Sequence, residues 1–348
     1  MNYITTREIH VEDVTDSEVQ QVADLMSACA AEVDPKDPPF TTGFARGELH
    51  GGTAVRTMRR LFATAGDEIV GLGELELHHD DANKHILGVY LQVHPTHRRQ
   101  GAGTMLLEHA LKIGIEEDRS SVLAWGVRSE VSAAFWDTFA LPEKQVERMS
   151  RLRLADVDQD LMTEWRTTST ARPAGYTLHS WLGACPDELL TKYVEAYRAM
   201  YDAPFDELDL SMPEITEESI RVTETNHADR GMTERVVLAL DPDGAPAAVT
   251  EIALLSTRPW HAWQQGTSTI AAHRGQGLGR WIKAEMVMQL LEEHPEVAVI
   301  ETGNASTNAS MLNINNAMGF EVHEEETARQ ASLVDVLAAV EAHRSSRG

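Results

Sequence analysis

Apolar positions along the chain switch between two periods, and the switches come in the same order twice. Residues 87–97 form an apolar, β-branched run, the pattern of a buried strand. After a glycine-bearing gap, residues 104–117 carry apolar side chains at i, i+3 and i+4, the spacing of a helix. In the second half, residues 264–273 give a weaker strand, and residues 280–294 an amphipathic helix that stops before Pro295. Upstream of each gap lie two strand-like runs joined by a turn, at Ala65-Gly66-Asp67 and at Asp241-Pro242-Asp243-Gly244. Downstream of each helix comes another strand, 121–127 or 297–302, and then a short helix. The predicted order β-β-β-loop-α-β-α therefore occurs twice.

Between the halves, the Thr- and Ser-rich stretch from Asp156 to Gly175 reads as the boundary, with residues 164–175 its least structured part. The second half opens with a strand at Tyr176 to Leu182 and a helix at Asp187 to Met200, capped by Asp187 after Pro186; a second helix follows from Pro213 to about His227. The tail beyond Thr327 has helical periodicity and fits either half. This predicts an N-terminal domain at 1–155, a linker at 156–175 and a C-terminal domain at 176–348.

Composition supports two folded domains: 348 residues exceed one ordinary core, and 42% hydrophobic with 24% charged residues is globular. The formal charge of −25, from 55 acidic and 30 basic residues, repels nucleic acid and anionic membranes and suits a cationic, amine-bearing partner; it serves solubility equally well. Cys29 and Cys185 stand far apart, which suggests neither a disulfide framework nor a zinc site, and a cytoplasmic home is expected. The start shows no signal-peptide pattern, and no run of 18 apolar residues marks a membrane span.

The gap itself repeats: His97-Arg98-Arg99-Gln100-Gly101-Ala102-Gly103 returns 176 residues later as His273-Arg274-Gly275-Gln276-Gly277-Leu278-Gly279. Glycines let the backbone approach an anion, and the following helix offers free N–H groups and the positive end of its dipole, so a pyrophosphate suits the loop. A single copy reads equally as a plain strand-to-helix turn. The pattern is neither a Walker A loop nor a dinucleotide fingerprint.

The two copies resemble motif A of the GCN5-related N-acetyltransferases (GNAT), and residues 304–320, from Asn304 to Phe320, resemble the family's motif B. The resemblance implies an α/β (α+β) chain of two tandem GNAT folds, each a mixed, mostly antiparallel sheet flanked by helices. It implies acetyl-CoA as cosubstrate, without a metal, bound by Val93, Arg98, Arg99, Gln100, Gly101, Ala102, Gly103 and Thr104 in one loop. In the other, the implied contacts are Thr269, Ile270, Arg274, Gly275, Gln276, Gly277, Leu278, Gly279 and Arg280, with Asn308 opening motif B. In the first half, residues 129–141 lack the opening Asn and carry Ala140 where glycine is usual. Similarity to tandem, mycothiol synthase-like members likewise implies that chemistry lies mainly in the second half.

What the resemblance implies chemically is direct transfer of an acetyl group to the primary amine of a small molecule. The tyrosine that many members use as acid is replaced by Asn315 in one copy and Trp136 in the other. Asn315 is expected to orient the cosubstrate. Glu251 is expected to be the base, with Glu74 at the similar position of the first half and His261 and Glu301 in reserve; a strand glutamate facing solvent is the plain alternative. The run His78-His79-Asp80-Asp81 reads as a solvated turn, Glu324-Glu325-Glu326 as an exposed face, and Trp260-His261-Ala262-Trp263 as either pocket lining or core. A monomer with an internal pseudo-dimer, or a weak homodimer, is expected. The missing tyrosine keeps open a second function, a non-catalytic acyl-CoA-binding or sensing protein.

Overall fold

The computed structural model describes residues 3–50, 56–168, 174–202, 208–212, 214–306 and 308–346. In chain order the elements are β1 (Ile4–Ile9), α1 (Asp16–Ala30), α2 (Thr42–Leu49), β2 (Arg56–Ala65), β3 (Glu68–His78), β4 (Ile86–Val93), α3 (Ala102–Glu116), β5 (Ser121–Val127), α4 (Glu130–Thr138) and β6 (Glu143–Arg153). They continue with α5 (Gln159–Thr168), β7 (Thr177–Leu182), α6 (Asp187–Arg198), α7 (Glu217–Asp229), β8 (Met232–Leu240), β9 (Pro246–Leu255), β10 (His261–Thr269), α8 (Leu278–Glu293), β11 (Val299–Ala305), α9 (Ala309–Met318), β12 (Glu321–Ser332) and α10 (Leu333–Ser345). No described helix is long and apolar enough to cross a membrane.

Two compact units result. The first is Met1–Val146 with Asp206–Ser211 and Glu324–Gly348; the second is Glu147–Phe205 with Met212–His323. These units differ from the expected halves by an exchange of segments. The last strand, β12, joins the first unit antiparallel to β5 (Glu326 opposite Val127 through Ser332 opposite Ser121), and β6 joins the second antiparallel to β11 (Arg153 opposite Val299 through Glu147 opposite Ala305). The acidic run 324–326 is accordingly half-buried strand rather than an exposed face, and Glu325 pairs with Arg128. The helical tail, α10, packs Leu333, Val336 and Val340 into the first unit's core. Within the stretch expected as linker, 159–168 is helix α5, whose Met162, Leu161 and Trp165 pack on the second unit's core; residues 169–173 lie outside the described residues.

Each unit is a sheet with helices on both faces, the arrangement that buries a two-faced sheet. In the first, β1-β2-β3-β4-β5-β12 run in that order, antiparallel except for the parallel pair β4 and β5. Helices α3 and α10 cover one face over Leu61, Leu75, Leu87 and Val89; α1 and α2 cover the other over Phe62, Ile69 and Leu72. In the second, the order is β6-β11-β10-β9-β8-β7, with β10 and β11 the parallel pair. There α8 lies over Val237, Ala248, Ile252 and Ile300, and α6 lies over Val236, Leu238 and Val249. The hairpin turns fall where predicted, with Gly66 and Gly244 at positive φ. Asp187 is not the cap of α6: Pro186 holds that position and the Asp187 carboxylate pairs with Arg221. The second predicted helix begins at Glu217, capped by Thr216, and Pro213 lies outside the described residues.

Candidate active site

Both glycine loops fold alike. A strand ends at Val93 or Thr269, a short 3-10 turn follows (Pro95–His97 or Ala271–His273), and a left-handed glycine, Gly101 (φ 99°) or Gly277 (φ 77°), opens the helix. Neither glycine provides a side-chain cap, so the first N–H groups of α3 and α8 have no intrahelical partner and point outward. A Cβ at Gly101 or Gly275 would meet no atom within 4 Å, which leaves open space beside each loop. That is the geometry an anion needs, and it suits a pyrophosphate. The second glycine of each pair has another use: a Cβ at Gly103 would lie 3.1 Å from Phe135 Cε2, and one at Gly279 3.3 Å from Ile314 Cδ1. These glycines let α4 and α9 close on the loop helices.

Other predicted contact residues divide by what their side chains already do. Arg98 Nε donates to Val93 O and Arg274 Nε to Thr269 O, each at 3.1 Å, so both arginines brace their loop from within; Arg98 also pairs with Glu32. Ala102 and Leu278 point into the cores, which leaves their backbone N–H groups for a ligand. The Arg280 guanidinium lies over the Trp165 ring, 5.3 Å from its centroid. Arg99 takes the left-handed conformation (φ 62°) that Gly275 takes in the second loop (φ 79°), at a cost of about 1 kcal/mol for a residue with a Cβ.

Beside each loop the parallel strands part. Pairing of β4 with β5 runs from Ile86–Ser121 to Val89–Ala124 and stops, although both strands continue. Pairing of β10 with β11 stops at Trp263–Glu301, and β10 then bulges between Gln264 and Thr267. Each unit thus has a gap between strands that leads toward its glycine loop, with unpaired strand edges able to bond an extended, amide-bearing arm.

The short helices after these gaps agree more closely than their sequences. Asn308 caps α9 by accepting from Met311 N (3.2 Å), and Ser129 caps α4 by accepting from Ser132 N (3.1 Å). Gly319 ends one helix at φ 94°; Ala140 takes the same left-handed turn at φ 54° after the other. The Asn315 amide donates to Asn304 Oδ1 at 2.7 Å and is buried, tying α9 to β11. Trp136 is a core residue.

The carboxylates expected as bases share a rung but differ in surroundings. Val93 lies opposite Gly71 and Thr269 opposite Ala248, so Glu74 and Glu251 each stand three residues along their strand. Glu251 is 1% exposed and accepts a short hydrogen bond from the Tyr193 hydroxyl of α6. Burial pushes its carboxyl well above the usual range, nearby Glu234 adds to this, and the Tyr193 bond works against it. Glu251 therefore neither faces solvent nor stands open to an amine. Glu74 keeps more exposure, pairs with Arg60 at 3.2 Å, and lies opposite Tyr90. His261 and Glu301 form a buried row with Arg151: burial opposes ionisation of Glu301, but His261 and Arg151 outweigh it and hold its carboxyl down at about 2. That row is an internal ion cluster.

Comparison with known proteins agrees with this geometry. Residues 19–138 match the family model of the acetyltransferase (GNAT) family. The fold is similar to a tandem GNAT protein from the clavulanic acid biosynthesis pathway, solved without acetyl-CoA, at 26% identity over 95% of this chain and 99% of that one, with TM-score 0.79. This chain has the tandem GNAT fold. Among curated proteins none matches. Two further structures share the fold: a GCN5-related N-acetyltransferase from Sphaerobacter thermophilus (15% identity, 95% and 96% coverage, TM-score 0.69) and Saccharomyces cerevisiae N-myristoyltransferase with bound myristoyl-CoA and inhibitors (11%, 95% and 80%, TM-score 0.57).

The tandem GNAT architecture brings forward residues that sequence reasoning passed over. Tyr90 sits in the predicted strand 87–97, where the alternation Leu87, Val89, Leu91, Val93 sets it on the opposite face. Tyr193, with Tyr197 and Trp181 stacked edge-on against it, comes from helix α6 and meets Glu251 only through packing. Lys283, 1% exposed on α8, donates to Gln264 Oε1 at 3.2 Å and lies over Phe320; burial holds its ammonium down at about 7. The matching position in α3 is Leu107, so a lone lysine in an apolar helix stripe was the available signal.

Proposed function

We propose that the chain is an N-acyltransferase that moves an acetyl group from acetyl-CoA to the primary amine of a small molecule by direct attack. One observation carries this reading: in each unit a gap between parting parallel strands leads to a helix opened by a left-handed glycine. Backbone N–H groups of both loops would hold the pyrophosphate, and the unpaired edges of β4 and β10 the pantetheine amides. Residues 101–104 and 277–280 would make these contacts chiefly through the backbone. The net charge of −25 favours a cationic acceptor over a nucleic acid or an anionic membrane.

Direct attack is supported over a thiol relay by the cysteines. Burial pushes the Cys185 thiol up to about 12 and raises that of Cys29 as well, so neither is an activated nucleophile. A cytosolic setting and a monomer or weak homodimer accompany this reading. In the second unit a different role is favoured by two observations: Glu251 is sealed under Tyr193, and Asn315 is committed to Asn304. Acyl-CoA binding without turnover suits that unit.

Calorimetric titration of acetyl-CoA into the wild type and the variants Gly101→Asp and Gly277→Asp tests the proposal. A stoichiometry near two that falls to one in either variant is expected, because each carboxylate would stand where a pyrophosphate should bind. No heat of binding to the wild type would end the acyl-CoA reading.

A further inference from the structure

Tyr90 of the first unit has specific surroundings. It is the first residue of β4 beyond the last pairing with β5, Val89 opposite Ala124. Its half-buried ring reaches across the gap, where Cε2 lies 3.8 Å from the position of a Cβ on Gly126 of β5. A Cβ there would touch the ring at ordinary van der Waals distance, so the ring packs directly against β5 at this level. Glu74 stands opposite on β3.

Length places the reacting atoms at this point. The pantetheine arm, with its two amides, is about as long as four extended residues, roughly 14 Å. Measured back from the loop along β4 at about 3.3 Å per residue, it ends level with Val89 and Tyr90. The second unit differs at the same level: residue 266 is glycine, and a Cβ there would meet Met200 Sδ at 1.9 Å. A tyrosine has no room in that unit, and a methionine fills the space.

We infer that the first unit is a catalytic acyl-transfer centre in which the Tyr90 hydroxyl donates the proton taken up by the CoA sulfur as it leaves; this rests on acetyl-CoA occupying the Gly101 loop. The neutral amine nitrogen forms the C–N bond to the thioester carbon, and the C–S bond breaks with its electron pair going to sulfur. Sulfur takes the Tyr90 proton, and the phenolate regains one from the nitrogen, leaving the amide and the free thiol. Burial, with the nearby Glu326 and Glu74, raises the phenol above its ordinary range, and a hydrogen bond with Gln92 works against this. The left-handed turn at Ala140 and the Ser129 cap show that the short helix beside this gap keeps its form despite its altered sequence.

The test uses the full chain, with acetyl-CoA and hydroxylamine as a generic small nucleophile, in a Gly277→Asp background that leaves the first loop alone. Adding Tyr90→Phe should lower CoA release about 100-fold, the scale of a lost general acid, while calorimetric acetyl-CoA binding persists. A second readout is independent of turnover: the chain has six tyrosines, and after 3-fluorotyrosine labelling the fluorine NMR signal missing from Tyr90→Phe belongs to Tyr90. That signal should shift on addition of acetyl-CoA, and the shift should vanish in Gly101→Asp. An unchanged rate in Tyr90→Phe, an unmoved signal, or binding without any CoA release in the Gly277→Asp background would each overturn the inference. Absence of acetyl-CoA binding in the wild type would instead remove the reading beneath it.

Discussion

The two units share one backbone plan and have filled it with different chemistry. Left-handed residues recur at 99 and 275, at 101 and 277, and at 140 and 319, and both short helices are side-chain capped. What differs lies on the rungs beside the gap. The first unit has Tyr90 against Gly126, with Glu74 part-exposed and paired with Arg60; the second has Gly266 filled by Met200, with Glu251 sealed by Tyr193. Backbone geometry thus preserves the capacity to hold an anion and an extended arm, while a few side chains decide whether a unit can move a proton. Motif quality alone does not separate the two units, because its glycine and asparagine report turns and caps that Ala140 and Ser129 also make.

The comparison can be pressed hardest at Lys283, which stands in the second unit where the first has Leu107. Its ammonium is held at about 7 against 10.5 in the unfolded chain. Between those values the unfolded chain carries the extra proton, so stability should rise with pH across that window. Lys283→Met should therefore raise stability at pH 7 by about 2 kcal/mol, less than the full linkage because Gln264 loses its donor, and the gain should fade toward pH 10. Urea midpoints at the two pH values check this; a loss of stability at pH 7 would mean that the ammonium is well solvated. Next in size is Gly266→Ala, which forces Met200 aside and should cost about 1–3 kcal/mol, an overpacking effect with no counterpart at Tyr90. A neutral result in thermal melts would show that Met200 moves freely and that the second gap can open. Smallest are the caps: Asn308→Ala and Ser129→Ala should each lose about 1 kcal/mol. Equal losses in denaturation experiments would establish that the two short helices are capped equivalently; a silent Ser129→Ala would restore the view that the first is degenerate.

Much of this was legible because its causes are local. Period-two and period-3.6 patterns gave the strands and helices flanking each loop, and the turn residues gave the hairpins. Strands β6 and β12 were not legible. Their sequences, EKQVERMSRLR and EVHEEETARQAS, carry charge at nearly every turn of the pattern, which locally reads as exposed surface. Arg329 is nevertheless 4% exposed, because Asp137 and the Leu141 carbonyl meet its guanidinium. Partners almost two hundred residues away supply what the strand itself lacks.

The sequence by itself therefore determined the repeat, the order of elements and the two glycine loops, since each depends on neighbours within a few residues. Only the tertiary structure decided which unit each terminal strand completes, that Glu251 is closed under Tyr193, and that Tyr90 stands where β4 and β5 cease to pair while Gly266 is filled by Met200. Those outcomes depend on where parallel strands stop pairing and on which helix packs above them, and such contacts have no signature in any short stretch of chain.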